Sequence, residues 1–339
     1  MTDQTLVRIV LASRPEGAPV PENFRIERAA VPAPAEGEVL LKTLYLSLDP
    51  YMRGRMRAAK SYAAPVEIDA VMEGGTVAEV IESRRPDFAV GDIVLSHSGW
   101  QTHAISNGEG LRKLDPAVAP ITTALGALGM PGFTAWAGLL NIGKPQSGET
   151  VVVAAASGPV GSAVGQIAMI KGARAVGIAG GAPKCAFVRD QLGFDQVVDH
   201  RAPDFAEQLA AACPNGIDVY FENVGGKVWD AVFPLLNPFA RIPVCGLIAQ
   251  YNIDGPFEGP DRLPVVMMDV LTKSLMIRGF IQREFADQRR TFYREMTEWI
   301  KSGRVKYCED VVMGLERAPW ALIGLLEGRN FGKLLVKVS

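Results

Sequence analysis

Residues 151–168, VVVAAASGPVGSAVGQIA, constrain the fold of this chain more than any other stretch. The apolar run at its start is typical of a central strand in a parallel sheet. Gly158 and Gly161 follow directly, as expected for a tight turn. Apolar residues then recur at the spacing of one helix face, namely Val160, Val164, Ile167 and Ala168. The stretch therefore predicts a strand, a tight turn and a helix in direct succession.

The chain around this stretch divides into two regions of different character. The first part contains short strand-like runs separated by Pro and Gly, which predicts a β-rich domain. Beyond it, apolar strands alternate with helical patterns, which predicts crossover connections and a parallel sheet. The tail shows one more helical pattern and a terminal strand, and we expect it to return to the first domain. For 339 residues we predict a β-rich domain of residues 1–122 and 308–339, and an α/β domain of residues 123–307.

The composition excludes several kinds of partner. Lys and Arg total 35 against 37 Asp and Glu, without blocks of like charge, which argues against nucleic acid or an anionic membrane. The N-terminus lacks the pattern of a secretory signal, and no run of about 18 apolar residues occurs, so we expect a soluble cytoplasmic protein. The four cysteines are dispersed and the three histidines do not cluster. We therefore expect neither a disulfide framework nor a protein-bound catalytic metal.

The predicted turn follows the dinucleotide fingerprint G-x-G-x-x-G with one departure. Ala156 replaces the first glycine, whereas Gly158 and Gly161 supply the other two. The N–H groups and positive dipole end of a helix N-terminus favour a pyrophosphate where no side chain intrudes. Pro159 fits the first helical position, where a missing N–H costs little. The alternative is a glycine turn that only allows helix and strand to pack closely, and we favour cofactor binding.

The end of the next predicted strand distinguishes NADP from NAD. NAD sites usually place an acid there, about 20 residues beyond the fingerprint, to bind the adenosine ribose. Here, in RAVGIAGGAPK, the apolar run is followed by Gly180 and Gly181 without a carboxylate, and Lys184 lies just beyond these glycines. A carboxylate would repel a ribose phosphate, whereas Lys184 would attract it and His200 could add a donor. We therefore expect NADP(H); the alternative is that Lys184 is an ordinary solvated lysine.

Seven longer motifs extend over nearly the whole chain. They are SLDPYMRGRM (47–56), GMPGFTAWAGL (129–139), AAASGPVGSAVGQIA, GGAPK, YFENVGG (220–226), CGLIAQYN (245–252) and NFGKLLVKV (330–338). In this order they resemble the zinc-independent medium-chain dehydrogenase/reductase family. Within it, the likeness is to the prostaglandin reductase and leukotriene dehydrogenase group of NADPH-dependent alkenal/one reductases, and most of all to the bacterial curcumin reductases. The zinc-dependent branch carries a G-H-E signature and clustered cysteines, where this chain has MEGGTVAEV and dispersed cysteines.

The resemblance implies a Rossmann domain, which is a doubly wound parallel sheet, and a GroES-like β-rich catalytic domain. It also implies a homodimer. The implied activity is NADPH-dependent reduction of the carbon–carbon double bond of α,β-unsaturated aldehydes and ketones, including curcumin-like enones. Hydride would go to the β-carbon, and the protein would stabilise the enolate. The alternatives are a quinone reductase of the same superfamily and an NADPH-binding protein without turnover.

The resemblance also assigns the cofactor-binding residues. It places the pyrophosphate at residues 158–161, the 2′-phosphate at Lys184, and the nicotinamide beside residues 245–251 and 280–282. His200 stands where the family commonly has a tyrosine that touches the same phosphate. The full set is Gly158, Pro159, Val160, Gly161, Lys184, His200, Asn223, Cys245, Gly246, Leu247, Tyr251, Phe280, Ile281, Gln282 and Asn330.

Two tyrosines are the candidate catalytic residues. We expect Tyr251 to polarise the substrate carbonyl, because a neutral phenol is a good donor to a developing oxyanion. Tyr51 is the second choice, as wall residue or proton donor, in a cleft between the domains; the alternative for each is a packed tyrosine bonded to a backbone carbonyl. Arg53 and Arg55 beside Tyr51 are interpreted as solvated. Cys245 is expected to be an inert thiol with a raised pKa.

Overall fold

A computed structural model describes residues 5–255 and 260–339, and the chain forms two compact units. The first unit contains the residues up to Gly126, Asn252–Asp254 and Glu309–Ser339. The second contains Ala127–Tyr251 and the described residues of Gly255–Cys308. The division at 126/127 and 308/309 adds the short segment 252–254 to the first unit, whereas the sequence division leaves it in the α/β domain. Within the described ranges, no helix combines the length and apolarity that crossing a bilayer requires.

Strands and helices have the following bounds. The strands are β1 (Thr5–Leu11), β2 (Phe24–Ala30), β3 (Val39–Ser47), β4 (Thr76–Ser83), β5 (Ile93–Ser96), β6 (His103–Ser106), β7 (Arg112–Lys113), β8 (Thr150–Ala154), β9 (Arg174–Ala179), β10 (Gln196–Asp199), β11 (Ile217–Phe221), β12 (Leu236–Val244), β13 (Met276–Gly279), β14 (Glu309–Met313) and β15 (Lys333–Lys337). The helices are α1 (Tyr51–Arg55), α2 (Met130–Gly138), α3 (Pro159–Ile170), α4 (Ala182–Ala186), α5 (Phe205–Ala212), α6 (Gly226–Val232), α7 (Leu263–Thr272), α8 (Arg289–Lys301) and α9 (Ala318–Leu326).

The second unit is built on a parallel sheet with the strand order β10-β9-β8-β11-β12-β13. The order reverses at β8, which lies between β9 and β11. In doubly wound sheets, ligands bind at the carboxyl ends of the strands beside such a reversal. The parallel sheet that the alternating pattern predicts is confirmed. The sequence analysis does not predict β13, because its four exposed residues are too few to form a pattern.

Helices cover both faces of this sheet. Val152 and Ala154 of β8 belong to a core shared with α5 and α6. Val151 and Val153 are equally buried, and because successive strand side chains alternate, they face the other side. On that side α2, α3 and α8 pack together, and the rings of Phe133 and Phe292 lie 5.2 Å apart. The carboxyl ends of the strands are therefore held between two packed layers.

The first unit is β-rich. It contains the pair β1-β2 and a larger sheet in the order β14-β15-β3-β4-β5-β7, with β6 also paired to β3. β15 pairs antiparallel with β3, so the end of the chain completes a sheet begun near its start. The core packs side chains of β1, β3 and α1 against α9, and the rings of Phe24 and Trp100 stack at 5.6 Å.

A buried ion pair fixes the start of α1. Lys333 Nζ lies 2.9 Å from Asp49 Oδ1 and donates to the Leu48 carbonyl at 2.7 Å. The side chains of Lys333 and Asp49 are only 3% and 7% exposed, and Ser47 Oγ donates to the second carboxylate oxygen. The pair therefore joins β15 to the turn before Tyr51, and connects the motifs SLDPYMRGRM and NFGKLLVKV.

Loss of one partner should destabilise the first unit more than loss of both. Lys333→Met leaves the Asp49 carboxylate buried without its cation, which should lower the free energy of unfolding by about 3–5 kcal/mol. The double variant Lys333→Met/Asp49→Asn removes both charges and should lose less than Lys333→Met alone. Urea and thermal unfolding of the single and double variants measures this. A double variant whose loss equals the sum of the single losses would show that the two groups do not interact.

Candidate active site

The turn between β8 and α3 brings the helix N-terminus against main chain. Ala155 has a left-handed φ of 53°, and its carbonyl oxygen accepts the Gly158 N–H at 2.9 Å. A Cβ atom placed on Gly161 would lie 2.3 Å from that same oxygen. Because no side chain tolerates such a distance, the close approach of α3 to the turn requires glycine at this position.

The alanine that replaces the first fingerprint glycine is accommodated by the neighbouring strand. Ala156 is fully buried, and its N–H donates to the carbonyl of Ile178 in β9 at 2.9 Å. A Cβ atom on Gly177, also in β9, would lie 2.9 Å from the Ala156 methyl. The glycine missing at position 156 is therefore compensated by Gly177 on the next strand, outside the linear motif.

The first turn of α3 presents main-chain N–H groups that the helix itself cannot satisfy. Gly158 is the N-cap and has no side chain to accept them, and Pro159 at the first position has no N–H. The N–H groups of Val160 and Gly161 follow, at the positive dipole end of a 12-residue helix. This end of α3 has the geometry that binds a phosphate.

Two basic side chains lie across the glycine pair at the end of β9. A Cβ atom on Gly180 would lie 2.7 Å from His200 Nε2 and 3.1 Å from Arg201 Nε. Asp199 Oδ1 accepts the N–H groups of Gly181 and Arg201, both at 2.9 Å. One carboxylate oxygen thus fixes the ends of β9 and β10 relative to each other, and glycine is needed where His200 covers the main chain.

The charges around His200 favour an anion at this place. Burial lowers the pKa of His200, and the charges of Arg201 and Lys184 lower it further, whereas Asp199 opposes them. An anion bound here would favour the protonated imidazole and would bring the pKa back up. The sequence analysis selects Lys184 and His200 but misses Arg201. Arg201 directly follows His200 in the sequence DHR, and this adjacency could have indicated a second cation at the same place.

A cavity of about 690 Å³ opens beside these cations. Its lining includes His200, Arg201 and Phe205, with Lys227 and Asp230 from α6. The end of β10 therefore borders a concave surface with apolar and charged walls, and such a surface can take an aromatic base and its sugar.

A buried carboxylate organises the turn after β11. Glu222 Oε1 accepts hydrogen bonds from the Tyr220 hydroxyl at 2.9 Å and from the N–H groups of Val224 at 2.6 Å and Gly225 at 2.9 Å. Burial raises the pKa of Glu222, and the bonds to N–H groups oppose that shift. The Glu222 carbonyl accepts the Cys245 N–H at 2.9 Å. The sequence analysis misses this residue, which ties the end of β11 to the loop after β12.

Asn223 connects three strand ends. Its Nδ2 donates to the carbonyl of Ala154, the last residue of β8, at 2.9 Å. Its own carbonyl accepts the Ile248 N–H in the loop after β12 at 3.2 Å. The predicted cofactor residue therefore also positions the main chain of this edge.

The loop after β12 carries the predicted catalytic Tyr251. The Leu247 N–H lies 3.4 Å from the Tyr251 hydroxyl oxygen, and a Cβ atom on Gly246 would lie 2.9 Å from it. Gly246 thus leaves room for the phenol to fold back over its own loop. Burial, and then the charge of Glu222, raise the pKa of Cys245 to about 12, as predicted for an inert thiol.

Residues 280–282 lie directly after β13. The Phe280 ring is buried and packs edge-on against Phe221, with 6.1 Å between the ring centroids. At the sheet edge, Phe280 can therefore contribute only its main-chain groups. The Ile281 N–H donates to Glu284 at 2.7 Å, and Gln282 Oε1 accepts from Arg289 at 2.5 Å. The predicted cofactor residues of the second unit thus follow the ends of β8 to β13.

Tyr51 and Asn330 belong to the first unit. Tyr51 begins α1 and packs on the core of that unit, with the Arg55 guanidinium 5.8 Å from its ring centroid. Burial raises the pKa of Tyr51, and the charges of Asp49 and Glu73 add to the shift. Asn330 Nδ2 donates to the Gly332 carbonyl at 2.9 Å, which shapes the turn before β15.

The interpretation of Arg53 and Arg55 as solvated residues is wrong. Their exposed fractions are 0% and 5%. Arg55 Nε lies 2.7 Å from the Glu73 carboxylate, and Nη1 donates to the Ala63 carbonyl at 3.1 Å. Both arginines are buried because acceptors distant in sequence surround them, and neighbouring residues do not reveal such acceptors.

Comparison with known proteins identifies the family. The model described as "N-terminal domain of oxidoreductase" matches residues 7–114, and "Zinc-binding dehydrogenase" matches residues 159–302. Over 333 residues the chain is 57% identical to the NADPH-dependent curcumin reductase of Escherichia coli K12, which covers 98% of this chain and 96% of the relative. The chain belongs to the zinc-independent medium-chain dehydrogenase/reductase family. The family that the sequence motifs indicate is therefore confirmed.

Two further members of the medium-chain dehydrogenase/reductase family are similar to the chain over nearly its whole length. The chain is 39% identical over 338 residues to the 2-alkenal reductase (NADP(+)-dependent) of Nicotiana tabacum, covering 98% of this chain and 97% of the relative. The crystal structure of CurA in complex with NADPH from Vibrio vulnificus is 56% identical, covers 98% of this chain and 99% of that chain, and superposes with a TM-score of 0.96. In the present chain, the described residues include no group of three or more His, Cys, Asp or Glu side chains that is placed to hold a metal ion.

Proposed function

We propose that the protein is an NADPH-dependent reductase of the carbon–carbon double bond of α,β-unsaturated aldehydes and ketones. The proposal rests on one observation: the chain matches reductases named for curcumin and for 2-alkenals over nearly its full length. An alkenal is an α,β-unsaturated aldehyde and curcumin contains conjugated enones, so both names describe one acceptor chemistry. We assign this chemistry to the present chain, with a small molecule as substrate.

We assign the phosphates of NADPH to two strand ends of the second unit. The N–H groups of Val160 and Gly161 would bind the pyrophosphate. Lys184, His200 and Arg201 would bind the 2′-phosphate, Lys184 as a point charge and Arg201 through its planar fork. The cavity beside His200 gives the adenosine a place with apolar and charged walls.

We assign Tyr251 as the donor to the substrate carbonyl oxygen. When bound, NADPH would supply the hydride that adds to the β-carbon; negative charge would develop on that oxygen, and a proton from water at the α-carbon would complete the reduction. One well-placed donor lowers such a barrier by roughly 2.7–4 kcal/mol. The Leu247 N–H points at the Tyr251 hydroxyl oxygen, and a phenol that accepts a hydrogen bond becomes a stronger donor itself.

We assign Tyr51 to the wall of the substrate site rather than to proton delivery. Burial and the neighbouring carboxylates raise its pKa, so the phenol stays neutral at physiological pH. A raised pKa makes the phenol a weaker acid, which argues against a role as general acid.

NADPH oxidation with a 2-alkenal, a curcumin-like enone and a quinone, followed by identification of the products, tests the function. We expect both carbonyl substrates to be converted to the saturated aldehyde or ketone, with one NADPH consumed for each double bond. Hydroquinone formation without enone reduction would instead identify a quinone reductase. NADPH binding without turnover of any acceptor would identify a cofactor-binding protein, and either result contradicts the proposal.

Loss of one cation at the proposed 2′-phosphate site should weaken the binding of NADPH and leave the binding of NADH unchanged. Lys184→Ala and Arg201→Ala should each weaken NADPH binding by about tenfold or more, because a hydrogen bond to a charged group contributes about 1.5–3 kcal/mol. NADH, which lacks the phosphate, should bind as before. Fluorescence titration with NADPH, NADH and 2′,5′-ADP measures this, with Lys171→Ala at the other end of α3 as the control. Equal losses for NADPH and NADH would place the phosphate elsewhere.

We infer that two copies of the chain pair through β13. This strand is last in the order of the parallel sheet, and all four of its residues are exposed. The helix that precedes it in the chain, α7, exposes apolar side chains that are each more than half accessible: Leu263, Val265, Met267, Met268 and Leu271. An exposed edge strand and an apolar patch are both liabilities in a monomer. A two-fold axis would pair β13 with its copy and cover the same patch on both subunits.

A charge placed in the patch should break this dimer. Val265→Lys introduces an ammonium into the apolar surface of α7 and should shift the protein from dimer to monomer in size-exclusion chromatography with light scattering. Val90→Lys is the matched control, because Val90 in the first unit is 66% exposed against 64% for Val265. A dimer that survives Val265→Lys, or a monomeric wild type, would overturn the inference.

We further infer that the enzyme works in the cytoplasm. None of the four cysteines, all of them in the described ranges, forms a disulfide, as is usual in a reducing compartment. Burial raises the pKa of Cys213 to about 11 and that of Cys245 to about 12, so these thiols stay protonated and react slowly with oxidants.

A further inference from the structure

The fully buried Arg53 binds the segment that directly follows Tyr251 in the chain. Its Nε donates to Asn252 Oδ1 at 3.1 Å, and its Nη2 donates to the Gly17 carbonyl at 2.5 Å. Burial lowers the pKa of Arg53, which shows that taking this charge out of water is costly. Among the described residues, Nη1 finds no hydrogen-bond partner. An arginine buried at such a cost is better explained by the position it imposes than by the stability it adds.

Asp254 holds the far end of the same segment. Its Oδ1 accepts from Arg57 Nη2 at 2.7 Å, and its Oδ2 accepts the Gly17 N–H. Arg57 Nη2 also donates to the Ile253 carbonyl. The Gly17 N–H and the two arginines hold the pKa of Asp254 below its usual range, so the carboxylate is charged at neutral pH. Residues 252–254 are thus bound through main chain and side chains to Arg53 in α1, to Arg57 two residues beyond α1, and to Gly17.

The residues before Tyr251 are fixed separately. The Ile248 N–H donates to the Asn223 carbonyl at 3.2 Å, and the Ala249 N–H donates to the Val224 carbonyl at 3.0 Å. Tyr251 therefore stands in the chain between two anchored stretches, and its main chain has little freedom on either side. A donor to a developing oxyanion needs such restraint, because a shift of about 1 Å can cost roughly a hundredfold in rate.

We propose that Arg53 is a positioning residue for the reduction: by fixing Asn252 it holds the main chain of Tyr251, so that the phenol meets the substrate oxygen. The proposal rests on the proposed role of Tyr251. It accounts for a charge that is fully buried two residues after Tyr51.

A double-mutant cycle between Asn252 and Tyr251 tests the proposal. Asn252→Ala removes the acceptor of Arg53 Nε and should lower kcat for an enone by roughly tenfold, while the KM for NADPH stays at its wild-type value. In the Tyr251→Phe background, Asn252→Ala should lower kcat no further, because the hydroxyl it positions is already absent.

Two further variants separate positioning from folding. Asn252→Asp keeps an acceptor for Arg53 and should retain kcat within about twofold. Arg14→Ala is the control, because Arg14 donates to the Met56 carbonyl at 3.0 Å, on the residue after α1, and does not bind residues 252–254. We expect it to leave kcat unchanged.

Each contrary outcome is distinct. Additive losses of kcat in the cycle would overturn the positioning role and leave Tyr251 as the donor. A loss of kcat in Asn252→Ala that is fully explained by a smaller fraction of folded protein at the assay temperature would also overturn it, because the segment would then serve folding only. Unchanged kcat in Tyr251→Phe would remove both the donor role and this proposal. A wild-type enzyme that reduces no enone would refute the proposed function itself.

Discussion

The contact between α3 and the Ala155 carbonyl determines where chemistry can occur in the second unit. It leaves no space for a side chain at Gly161, so this position of the helix start presents its main-chain N–H group without a side chain. Because β8 is the strand at which the sheet order reverses, the ends of β9 and β10 diverge on one side of it and those of β11 and β12 on the other. The residues that follow these strands therefore share one edge, however far apart they are in sequence.

Two carboxylates at this edge accept hydrogen bonds from main-chain N–H groups. Asp199 accepts two N–H groups from the turns after β9 and β10, and Glu222 accepts two from the turn after β11. Each carboxylate is engaged by donors of its own, and each fixes a loop on which the proposed cofactor contacts depend. The acidic residue that would mark an NAD site at the end of β9 is absent from the sequence, and His200 and Arg201 occupy the space over Gly180 instead.

Sequence patterns predict the secondary structure that is determined by neighbouring residues, but not the contacts between residues distant in sequence. The strand, turn and helix at residues 151–168 are read correctly because apolar runs and helical spacing are properties of neighbouring residues. The burial of Arg53 could not be read in this way, since its partner Asn252 is 199 residues away. Compensation of Ala156 by Gly177 was equally hidden, because it acts across the ladder between two strands. The role of Lys184 is predicted from the local pattern after β9, that of Tyr251 from family likeness, and both stay predictions.

Membership of residues 252–254 in the first unit has a consequence for protein engineering. A chimera that exchanges domains between two reductases would naturally be cut near residues 126 and 309, where the two units separate. Such a recombinant would combine Arg53 and Gly17 of one parent with the tripeptide of the other. The codons for these three residues must therefore be inherited with the N-terminal parent, even though they lie inside the gene segment that encodes the nucleotide-binding half.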